Sequence, residues 1–196
     1  MIGYFQKHPE QVQADFGTWA QVGRAFLNRK RRKEVRELMA DWRERSEVKM
    51  WAITNYILAS PGRNRSDLER VATTCRDALT MLPHDHCARF LAHKQAEAYA
   101  LLGDEKSFLN TWNSYRHYFG SDPTKGEFFK NMHLLADVPA MAHTLQQGDT
   151  LAYRKLLREL RWRRATGASY PDIPWWAILL FLLSLLQIVR GIMDSQ

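Results

Sequence analysis

The chain has 196 residues, 45% hydrophobic and 25% charged, with a formal net charge of +7. That apolar share excludes a disordered chain, and the length suffices for one domain with a sizeable core. Cys75 and Cys87 allow at most one disulfide, so a reducing compartment is expected, and MIGYFQKHPEQ holds no apolar run of the kind a cleaved signal peptide needs.

In chain order, residues 1–16 read as a lead-in. Apolar spacing near 3.6 residues then predicts helices at 16–28, 31–45, 48–59, 66–81, 86–102, 105–119, 125–136, 138–147 and 149–165, and a last one at 174–193. Alternating β-branched runs are missing, so the expected fold class is all-α. Breaks fall at SPGRNRSD (60–67), LPHD (82–85), GD (103–104), GSDPTKG (120–126), GD (148–149) and TGASYPDIP (166–174). Ser66 with Glu69 reads as a capping box, and Gly103 and Gly148 sit where a left-handed residue ends a helix. Positive charge is concentrated twice, at Arg24–Arg36 and at Arg154–Arg164.

Three segments align, beginning at residues 26, 99 and 144. Equivalent positions hold Val35, Phe108 and Tyr153, then Met39, Trp112 and Leu157, then Trp42, Tyr115 and Leu160. Each set lies four and three residues from the next, on one helical face. Trp19-x2-Val22-Gly23-x2-Phe26 opens one unit; Val71, Cys75, Ala78 and Pro83 mark a second helix; Ala96, Tyr99, Gly103 and Phe108 form a further copy. This pattern resembles the tetratricopeptide (TPR) repeat over roughly 17–119, and more weakly over 125–165. It departs where Phe108 replaces the usual Ala and where Trp51 lacks a following Gly; other helical-pair solenoids share the same physics. The resemblance implies stacked helical hairpins that bind a protein partner. Small residues at Gly23, Ala78 and Ala96 would let helices approach closely.

From Trp175 to Val189 no residue is charged, and extension to Met193 gives a stretch of roughly 28 Å as a helix, near the hydrocarbon thickness of a bilayer. Trp175, Trp176, Leu180, Phe181, Leu183 and Ile188 are the expected anchor. Between Trp175 and Val189 only Ser184 and Gln187 are polar, and the apolar residues from Ile178 to Leu186 cover every direction, unlike a core helix with one wet stripe. The cations before it would keep the preceding domain cytoplasmic, with Arg161, Arg163 and Arg164 at lipid headgroups. Arg190 is opposed by Asp194 on the other side. The layout resembles tail-anchored TPR adaptors.

Chemistry has few candidates. Cys75, His84, His86 and Cys87 match no common zinc spacing, and a Cys–His nucleophile lacks an orienting group or oxyanion motif. Asp122 and Glu127 lie in or beside a loop. No Gly-rich phosphate loop, GxSxG or HExxH occurs. RKRRKEVR (29–36) could meet phosphates, but basic runs are more often solvated faces. Trp19, Trp42, Trp51, Trp112 and Tyr115 read as core.

The reading is an all-α, TPR-like helical-hairpin solenoid over 17–165, a linker at 166–173 and one transmembrane helix at 174–193. No enzyme activity, cofactor or metal is expected. The expected role is a single-pass, membrane-tethered adaptor or scaffold whose domain faces the cytoplasm. It would recruit an acidic protein, or a membrane-complex subunit, through Arg29, Arg31, Arg32, Arg89 and Lys94. The alternatives are an accessory subunit of a larger membrane complex and a soluble, basic nucleic-acid-binding protein with its last helix buried; nucleic acid ranks below protein and lipid.

Overall fold

The computed structural model describes residues 2–45, 47–60, 62, 64–82, 87–119 and 137–166. Every regular element among them is an α-helix: α1 (Ile2–Lys7), α2 (Pro9–Ala14), α3 (Phe16–Asn28), α4 (Arg32–Leu38), α5 (Met50–Leu58), α6 (Arg65–Met81), α7 (Ala88–Leu102), α8 (Glu105–Ser114), α9 (Arg116–Phe119), α10 (Val138–Gln146) and α11 (Thr150–Thr166). The all-α class expected from the pattern is what the structure shows. The expected helix at 125–136, the linker and the apolar stretch 174–193 lie outside the described residues. Among those described, no helix is long and apolar enough to cross a membrane.

Boundaries follow side-chain chemistry. Asp15 begins α3 by accepting a hydrogen bond from the Thr18 amide at 2.6 Å. Asp104, Asp137 and Asp149 do the same for α8, α10 and α11, each accepting from the amide three residues on. Gly103 and Gly148 end their helices at φ 75° and 74°, as their sequence positions predict. In both, the next amide donates to the carbonyl five residues back, from Asp104 to Tyr99 and from Asp149 to Thr144. Lys30 does this at the end of α3 with φ 60°, a left-handed backbone that costs a residue bearing a Cβ.

Three expectations need correction. The helix drawn at 31–45 stops at Leu38, because the Trp19 indole N–H donates to the Leu38 carbonyl at 2.8 Å. That carbonyl would otherwise accept from Trp42, which donates instead to Met39, tightening the chain into turns. Ser66 is not the N-cap of α6. Asn64 takes that place, accepting from the Asp67 amide at 2.8 Å, while Glu69 pairs with Arg65 at 2.8 Å rather than reaching back to Ser66. The helix expected over 105–119 breaks at Tyr115 into α8 and α9.

Helices pack mainly on their neighbours in sequence, α2 on α3, α3 on α4, α6 on α7, α7 on α8 and α10 on α11, while α3 also packs on α5. The residues read as a lead-in form α1 and α2, which close one end through fully buried Val12 and an edge-to-face contact of Phe5 with Phe26 at 5.6 Å. Gly23 lies directly beneath Met39; a Cβ there would come within 2.6 Å of the sulfur. Of the aligned apolar set, Val35, Met39, Trp42, Phe108, Trp112, Tyr153, Leu157 and Leu160 are buried in one continuous core, whereas Tyr115, like Trp51, is only partly buried against it. α7 touches the most partners, meeting α6, α8, α9, α10 and α11. It therefore buries polar positions as well as apolar ones.

Candidate functional site

The strongest concentration of charge inside the fold is on α7. Glu97 is 1% exposed and is held by two cations. Lys94, one turn earlier, reaches one carboxylate oxygen at 2.8 Å, and Arg164, from the last turn of α11, reaches the other at 2.6 Å. Burial pushes the Glu97 carboxyl up, but Lys94 and Arg164 more than offset this, and it lies below its ordinary value. Gly62, at φ 57°, leaves the space that the Arg164 guanidinium fills; a Cβ would collide with it. The triad thus joins α7, the chain ahead of α6, and the end of α11.

His93 lies on the same helix at 6% exposure, with its ring edge-on to Phe119 at 4.6 Å. Neither ring nitrogen has a hydrogen-bond partner among the described residues. Burial, reinforced by the nearby Arg89 cation, drives its pKa down to about 4, so the imidazole is neutral at pH 7. Burial pushes the Cys75 thiol up, far from the thiolate form that a nucleophile or metal ligand needs. Cys75 and Cys87 are both buried and free. His84, His86, Asp122 and Glu127 lie outside the described residues, and no group of three or more metal-ligating side chains occurs among those described.

A cavity of about 550 Å³ opens between α2 and the turns after α4, its lining including the acids Asp15, Asp41, Glu44 and Glu47 together with Gln13 and Arg45. Most of this acid is committed within the fold. Asp15 caps α3, Asp41 pairs with Arg45 at 2.9 Å, and Glu47 pairs with Lys49 at 3.3 Å. Arg45 also bonds the Gln13 carbonyl at 2.9 Å and stacks over Trp19 at 4.1 Å, so it acts as a clamp on α2.

The residues proposed from sequence for a partner separate into two places. Arg29, Arg31 and Arg32 share the exposed α3–α4 corner. There Arg31 pairs with Glu34 at 2.7 Å and covers the Phe26 ring at 4.9 Å, while Arg36 turns inward to the Ala59 carbonyl at 2.8 Å. Arg89 and Lys94 are half-buried on α7, and the Lys94 ammonium is engaged with Glu97 rather than standing free at the surface. The proposed headgroup residues also divide: Arg161 faces outward, Arg163 is half-buried, and Arg164 points in to Glu97.

Sequence reasoning missed Glu97 and His93. The available signal was a carboxylate and an imidazole set in HKQAEAYA, an alanine-rich helix whose small residues invite neighbours from every side. No protein family, curated protein or solved structure matches the chain.

Proposed function

We propose that the chain is a TPR-like scaffold, tethered to a membrane by residues 174–193, that holds an acidic protein partner at the cytoplasmic face. The observation that carries this reading is the α3–α4 hairpin. Its Trp19, Val22, Gly23 and Phe26 are all buried, and Met39, just past the end of α4, seats on Gly23. That is the small-into-large interlock expected of the repeat pattern. The pairing of α6 with α7 and of α10 with α11 supports the same architecture, since a stack of hairpins is built from such pairs.

Arg29 and Arg32 stand exposed at the α3–α4 corner, and Arg31 beside them leaves part of its guanidinium to solvent. Together they suit a carboxylate-rich surface. A tether would raise the local concentration of whatever binds there without adding contacts. The membrane part of the reading comes from the apolar residues that cover every direction from Ile178 to Leu186.

The test has two arms. Full-length chain should stay with carbonate-washed membranes, and Phe181→Arg with Leu183→Arg should release it; release of the unaltered chain refutes the tether. Arg29→Glu, Arg31→Glu and Arg32→Glu together should abolish cross-linking to a partner in cells while leaving the helical signal intact. A partner retained after that reversal refutes the binding surface.

A further inference from the structure

α11 presents two opposed faces. Tyr153, Leu157 and Leu160 are buried against the domain. At about 100° per residue, the opposite side carries Leu151, Arg154, Lys155, Arg158, Arg161 and Trp162 within an arc of about 120°. All six are exposed, Leu151 by 81% and Trp162 by 50%. Among the described residues none of the four cations pairs with a carboxylate. At the start of α4, by contrast, Arg31 just before the helix pairs with Glu34 and Lys33 pairs with Glu37. Glu159, the acid nearest in sequence, sits at the rim of the arc and is half-buried.

We propose that this outer face of α11 lies on an anionic bilayer, its four cations meeting lipid phosphates and carboxylates and Trp162 entering the headgroup layer. Charge selects an anionic partner. The exposed Trp and Leu on the same arc select a lipid surface over a polynucleotide, because an indole is most comfortable at the boundary between apolar and wet. The apolar face of α11 is already buried in the protein, so contact is by charge and by these two side chains rather than by deep insertion. Arg163 and Arg164 are not part of the patch: the first is half-buried and the second is spent on Glu97. The inference deepens the tether reading, and rests on it for bringing α11 near a bilayer. Each cation close to an anionic surface contributes about a fivefold preference, several hundred-fold if all four engage.

The experiment follows acylation of Lys155 in the full chain by mass spectrometry, with Lys106, exposed on α8, as internal reference. Vesicles of phosphatidylcholine alone are compared with vesicles containing about one-third phosphatidylserine. Lys155 should react about tenfold more slowly on the anionic vesicles. That protection should vanish in about 0.5 M salt, and in a variant carrying Arg154→Gln, Arg158→Gln and Arg161→Gln whose thermal melt matches the unaltered protein. Equal reactivity of Lys155 on both vesicle types overturns the proposal. Protection by single-stranded RNA with none by anionic vesicles overturns it in favour of a polynucleotide. Co-flotation with neutral vesicles judges the tether by itself: a chain that floats with Lys155 unprotected sinks the α11 surface alone, and one that fails to float but protects Lys155 on anionic vesicles sinks the tether alone.

Discussion

Replacing Arg164 with Met should unlock the end of α11 from the centre of the fold. The substitution keeps much of the aliphatic volume and removes one of two cations from a carboxylate that is 1% exposed. Deleting one partner of a buried pair costs about 3–5 kcal/mol, since it strands the remaining charge away from water. Two features place this case at the low end. Lys94 still holds the other oxygen at 2.8 Å, and the Arg164 side chain is itself 24% exposed. A loss of about 3 kcal/mol is expected, lowering Tm by about 6–12 °C for a chain of this size; urea denaturation and calorimetry read both. The Glu97 carboxyl lies below its ordinary 4.5 in the folded protein, so its stabilisation is complete above pH 4.5 and is lost as the pH falls from there through the folded value. Arg164→Met moves that folded value upward. The gap between the two proteins should therefore be widest near neutrality and close as acid protonates Glu97 in both. A loss below about 0.5 kcal/mol, or a gap that stays constant into acid, refutes the buried triad. Changing Glu97, Lys94 and Arg164 together to Met should recover most of the stability, because no charge is then left stranded.

His93 gives a pH dependence of its own. Its pKa falls from 6.5 to about 4 on folding, so the unfolded chain binds the extra proton, and stability drops as the pH goes from 6.5 toward 4. The slope approaches about 1.4 kcal/mol per pH unit. His93→Phe, packed beside Phe119, should flatten denaturation curves across that window; an unchanged slope would place the titration elsewhere. At the end of α3, Lys30→Gly removes the cost of a left-handed backbone and should raise stability by about 1 kcal/mol. A lowered Tm in that variant would mean that the Lys30 side chain contributes more than its backbone costs.

Local chemistry made much of this protein legible in one dimension. Phe16–Asn28 was bounded correctly because an apolar stripe between Asp15 and a basic turn needs no distant partner to define it. Gly103 and Gly148 announced their turns because only glycine reaches that backbone region at little cost. The shared face of Val35, Met39 and Trp42 was readable from spacing alone, although α4 itself ended early. That early end depends on an indole 19 residues away taking the Leu38 carbonyl, which no periodicity can reveal. The Asn64 cap was hidden by a closer match to the capping-box pattern at Ser66.

Charge shows the same division most sharply. Composition by itself determined that the chain is strongly basic, with cations gathered in two clusters, and helical spacing determined that it is all-α. Within 154–164, however, residues of one type have opposite fates: Arg161 faces water while Arg164 enters the core to meet Glu97, 67 positions back. A helix sets the angle between those side chains, but only packing decides which direction is inside. The reason is that a buried carboxylate must have cations wherever the fold can supply them, one here from Lys94 on the same helix and the other from Arg164 far along the chain.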